Sequence, residues 1–132
     1  MRPFLIAAVA ATCALAACQS GPYGTQRAAT SAEKHAFIQA ARNELYDPFS
    51  IRNAELSTVI TIDRGLNERR VVCARYDSKQ KDGSFTGTET HLVTIDAKNV
   101  ITASIVVPAD EEPCSRLRFS PFPEAERLKR RT

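Results

Sequence analysis

The chain has 132 residues, a formal net charge of +3, 25% charged side chains, four cysteines, two histidines and no tryptophan. That length has room for one domain rather than two, and a charge excess this small, with no recognition motif beside it, argues against nucleic acid as a partner. So few histidines and cysteines also narrow the catalytic and metal chemistry available.

Residues 1–17 have the three parts of an export signal: basic Arg2, an apolar run from Phe4 to Ala17, and a small-residue cleavage site. About 14 apolar residues at 1.5 Å each cover roughly two-thirds of a 30 Å hydrocarbon core, too little for a permanent transmembrane helix. The run ends in Leu15-Ala16-Ala17-Cys18. In these four positions the chain resembles the bacterial lipoproteins. That resemblance implies a lipobox, acylation of Cys18 by diacylglycerol and palmitate, and cleavage just before it. It also implies a membrane-tethered periplasmic domain anchored at the inner or outer membrane. The alternative is an incidental cysteine behind a plain signal peptide. Cys13 follows Thr12 and leaves with the leader.

After the leader, residues 18–29 are rich in Ser, Gly, Pro, Thr and Gln and read as a flexible tether. Residues 30–115 form the expected domain, and residues 116–132 a basic, proline-containing tail with Arg116, Arg118, Arg127, Lys129, Arg130 and Arg131. The tail is expected as a solvated terminus able to touch anionic lipid or an acidic partner. With Cys13 removed and Cys18 lipidated, Cys73 and Cys114 remain as an even pair in an oxidising compartment, and a disulfide is expected. Closing a loop of about 40 residues stabilises by roughly 4 kcal/mol on the chain-entropy account. Two buried thiols are the alternative; a zinc site lacks neighbouring ligands at the usual spacing.

Thr30-Ser31-Ala32-Glu33 fits a capping box and predicts a helix start. Phe37, Ala41 and Leu45, with Ile38 beside them, form its apolar stripe; Glu33, Lys34, Arg42 and Asn43 flank it. Asp47-Pro48 predicts the end near Tyr46, and Asp47-Pro48-Phe49-Ser50 reads as a turn. Ala54, Leu56, Ile60 and Ile62 then alternate with polar residues as a first strand, with Thr58 out of pattern. Arg70 to Asp77 reads as a second strand, the segment from Lys79 to Ser84 as an exposed connection, and Thr88 to Asp96 as a third strand with His91, Val93 and Ile95 on one face. Val100 to Val107 is the fourth, with Ile101, Ala103, Ile105 and Val107 pointing one way. The expected fold is α+β: one N-terminal helix packed on a four-stranded antiparallel meander.

The Asp47-Pro48-Phe49-Ser50 turn, the strand carrying Cys73, and the glycine-aromatic loop Gly83-Ser84-Phe85-Thr86-Gly87 make the body similar to a group of small uncharacterised proteobacterial envelope proteins. The resemblance implies an envelope location and no activity.

His35 and His91 are the histidine bases. His35 should face solvent, and His91 reads first as a core-rim residue. Asp110-Glu111-Glu112 lacks the alternating ligands of a calcium loop, and no helix follows the glycine-bearing loop to make a phosphate cradle. Phe85 and His91 are the expected partner contacts, with Phe85 as an exposed aromatic at a loop tip. No catalytic residue, metal ligand or cofactor is expected. The function expected is a membrane-tethered, non-enzymatic binding or structural module for an envelope protein, glycan or anionic lipid. The alternatives are a small hydrolase or metal-dependent enzyme using His91, and an inhibitor or immunity-type lipoprotein.

Overall fold

The computed structural model describes residues 21–128, so the leader, Cys18 and residues 129–132 lie outside the described residues. Helix α1 (Ser31–Glu44) starts at its capping box: Glu33 N–H donates to Thr30 Oγ1, and Thr30 N–H donates to the Glu33 carboxylate. Leu45 turns extended and the helix stops. Phe37 and Ala41 are buried, Ile38 and Leu45 half-buried, as the stripe requires.

Six strands follow: β1 (Asp47–Ser57), β2 (Ile60–Asp63), β3 (Arg69–Lys79), β4 (Glu89–Asp96), β5 (Ile101–Val107) and β6 (Phe119–Pro121), then a short helix α2 (Pro123–Glu126). The sheet order is β5-β4-β3-β1-β6, all antiparallel, with β2 also on β3. The expected four-stranded meander is therefore incorrect. One main helix packs on a six-stranded antiparallel sheet, and β1 lies between β3 and the late strand β6.

Two irregularities explain the difference. Asp47-Pro48-Phe49-Ser50 begins β1 instead of forming a separate turn; Phe49 N–H donates to Asp47 Oδ1, and register shifts follow on either side of Arg52. At Thr58 the chain leaves the β1–β3 ladder, because Thr58 N–H donates to Arg118 O and Val59 exchanges backbone bonds with Arg27. The face then switches: Ala54 and Leu56 lie in the cluster under α1, Ile60 lies on the opposite side, and Ile62 is exposed.

A bulge does the same to β5. Ile101 pairs with Ile95 but Ala103 with Thr94, so Thr102 is the extra residue and Ile101 no longer shares a face with Ala103, Ile105 and Val107. The single apolar row expected there is split, and of those four residues only Val107 is buried.

The sheet consequently has two apolar faces. Under α1, Phe37 meets Tyr76 and Phe122 edge-on at 6.0 and 5.6 Å, with Val72, Ala74, Val93 and Ile95 around them. Phe122 is only 1% exposed and donates its N–H to Ala54 O, while Glu126 accepts from Ala54 N–H. The segment expected as a tail thus supplies an edge strand and a core aromatic. On the other face Cys73 and Cys114 are joined by a disulfide, both fully enclosed, beside Ile60, Val71, Val107 and Leu117.

Candidate functional site

His91 stands on the α1 side of β4, opposite Ala74 on one neighbour and Val106 on the other. Its ring is stacked flat on Tyr76 at 4.5 Å, and Nε2 lies 3.6 Å from the Glu89 carboxylate. Burial pushes the imidazole down from its ordinary value, with Glu89 partly opposing; burial likewise pushes the Tyr76 hydroxyl up to about 12, helped by Glu89 and Glu44. A neutral imidazole packed against a neutral phenol is a rim contact of the core. His35 is exposed on α1, as expected.

Phe85 is placed differently from the expectation. It is half-buried, paired with Lys79 across the loop, with the Arg52 guanidinium 3.4 Å from its ring centre and Lys79 Nζ at 5.7 Å. Arg52 is also held by Asp77 at 2.8 Å, and the buried Asp77 carboxylate accepts from Gly87 N–H and Thr86 Oγ1. The loop is strapped to β1, so its aromatic is a clamp rather than a free tip. His91 and Phe85 are not brought together, since the Arg52–Asp77 clamp and the Tyr76–His91 stack use side chains of opposite parity on β3. Two further arginine stacks, Arg75 on Phe119 at 3.7 Å and Arg116 on Tyr23 at 3.8 Å, join the late segment to the body.

Sequence reasoning misses the most buried charge cluster. Glu33, expected as a polar flank of α1, has a side chain only 1% exposed and bonds Arg27 and Arg70 at 2.6 and 2.5 Å. Arg70 also donates to Asp96 O and to Asn99 Oδ1. Burial alone would raise the Glu33 carboxyl, but the Arg27 bonds, the Thr30 amide and the charges of both arginines outweigh it and bring it down to about 2. The cluster pins the start of α1 to the β4–β5 turn. Its signal in the sequence is Arg70 at the head of the apolar run Val71-Val72-Cys73, where a charge needs a partner.

Among the described residues β5 has one strand neighbour, β4, and its Ile105 and Val106 are 57% and 59% exposed. Beside its first residues a shallow groove of about 320 Å³ runs between Asn99, Val100 and Ile101 and the α1 side chains of Ala36, Gln39, Ala40 and Asn43. A larger open hollow of about 600 Å³ lies at the β2–β3 and β4–β5 turns, lined by Asp63, Glu68, Arg69, Asp96 and Lys98. Its charged groups are of both signs, with Asp63 already bonded to Arg69. Among the described residues no three His, Cys, Asp or Glu side chains converge as metal ligands. Cys18, the expected lipidation site, lies outside the described residues. No protein-family model, no curated protein and no solved structure matches this chain.

Proposed function

We propose that this chain is a lipid-anchored, non-enzymatic binding module of the bacterial cell envelope, held at the membrane through Cys18. The observation that carries this reading is the enclosed Cys73–Cys114 disulfide. Such bonds persist in the periplasm and on cell surfaces and are rare in the reducing cytosol. The compartment that favours the bond is the one to which Leu15-Ala16-Ala17-Cys18 would direct the chain. Among the described residues no helix is long and apolar enough to cross a membrane. Attachment in this reading is the work of acyl chains on Cys18, two or more of which give stable anchoring.

His91 is engaged in a stack on Tyr76 and His35 is exposed on the α1 surface. Labelling of cells with a fatty-acid analogue, followed by membrane fractionation, tests the reading. The wild-type chain should carry label and sediment with membranes, and Cys18→Ser should lose the label and move to the soluble fraction. A wild-type chain without lipid, or a Cys18→Ser chain that stays with membranes, would refute it. A His91→Ala chain that keeps its disulfide and melting temperature yet loses a cellular phenotype would favour the enzymatic alternative.

A further inference from the structure

The two lateral edges of the sheet are treated differently. At one, β6 is three residues long, ends in Pro121 and is followed directly by α2, so little backbone is left to recruit another strand. At the other, β5 runs for seven residues, Ile-Thr-Ala-Ser-Ile-Val-Val, with no charge, no proline and no glycine. Its burial pattern is exposed from Thr102 through Val106. Natural sheets blunt such an edge with lysine, proline, an inward charge, a bulge or a covering element. Among the described residues the bulge at Thr102 stands at the start of β5, and none of these devices is present over Ala103 to Val106.

We propose that β5 pairs antiparallel with β5 of a second copy of this chain, about a two-fold axis at Ser104, extending the sheet across both subunits. The axis at the middle of the strand sets Ile105 opposite Ala103 and Val106 opposite Thr102 of the second copy. An uncharged strand meets itself with no like-charge pair along its length. The flanks choose the orientation. Lys98 lies just before β5, and Asp110, Glu111 and Glu112 lie just after it. Antiparallel pairing about Ser104 brings the Lys98 end of one strand to the acidic Asp110–Glu112 end of the other, and the symmetry repeats the arrangement. Parallel pairing would set lysine beside lysine and the three acids beside three acids. The same pairing brings the end of the second copy's β5 toward Val100, which is 52% exposed and borders the groove between β5 and α1. The inference specifies a partner for the binding module proposed above, but its geometry does not require the lipid.

The test uses the full chain in whichever cell fraction it occupies, so failure of the anchor and failure of the pairing are read separately. Ser104→Cys should give a homodimer with a short bis-thiol reagent, in chains whose Cys73–Cys114 bond is intact by mass. Ile62→Cys, on exposed β2, should not. Ile105→Lys or Ala103→Glu alone should weaken self-association measured by sedimentation about tenfold or more, since each puts like charges near the axis. The double variant should recover it, because the introduced ammonium of one copy then faces the introduced carboxylate of the other, twice across the axis. Both positions are exposed, so the monomer keeps its fold. Equal crosslinking at residues 104 and 62, capture of a different protein at residue 104, or no recovery in the double variant would each overturn the proposal.

Discussion

The two faces of the sheet are held by different means. On the α1 side thirteen buried residues form one cluster, locked at its corner by the Glu33–Arg70–Arg27 bonds. On the other side the cluster has six buried residues, two of them the bonded cysteines. A face with enough side chain to bury holds by packing, whereas a smaller one gains from a covalent link that limits the unfolded chain. The first should fail in acid and the second in reductant.

The sharpest way to break the α1 face is Glu33→Ala. It strips a buried arginine of its carboxylate and removes half of the capping box, and should cost about 4–5 kcal/mol in urea unfolding. Acid should imitate it. Because the carboxyl is held at about 2 against an ordinary value of 4.5, its contribution is full above pH 4.5 and is lost as pH falls toward 2. A melting-temperature profile of the wild type should drop across that window, and Glu33→Gln should flatten it. Phe122→Ala comes next, at about 3–5 kcal/mol, since the ring is enclosed and meets Phe37 edge-on. If the late segment were a dispensable tail, this change would do almost nothing.

Removing the disulfide with Cys73→Ser and Cys114→Ser should cost about 2–4 kcal/mol in the same assay. Reduction should leave the acid transition of Glu33 in place, because the two devices sit on opposite faces. A reduced chain that lost both at once would show that the faces do not fail separately.

What is legible in the sequence is what is local. The Thr30–Glu33 box, the apolar stripe of α1, the presence of β3 and β4 and the Cys73–Cys114 bond can be read from spacing or counting, although β3 runs on to Lys79, two residues past the expected end. What escapes depends on distant partners. Pro121 and Pro123 make β6 look like a tail, although proline is tolerated on an edge strand, and only the pairing of Glu55, Leu56 and Ser57 with Pro121, Ser120 and Phe119 makes the segment a strand. The rows through Ile60 and Ile101 mislead because a shift of register moves every later side chain to the other face; Thr58, out of pattern, marks the first, and no residue in the β5 row marks the second. Phe85 looks exposed in sequence because the arginine that covers it comes from β1, more than thirty residues earlier.

The stretch before α1 has a consequence for how the domain would stand at a bilayer. Gly21–Thr25 is a 3-10 turn, Thr25 Oγ1 accepts from Thr61 N–H at 2.7 Å, Tyr23 lies under Arg116, and Arg27 pairs with Val59. Most of the length assigned to a tether is thus fastened to the body, and Gln19 and Ser20 alone separate Cys18 from that turn. Three extended residues reach about 10 Å. An acylated Cys18 would leave at most that length of chain between the headgroups and the turn that carries Tyr23. The β5 margin, on the other side of β3 and β4 from that anchorage, would be left open to a neighbour.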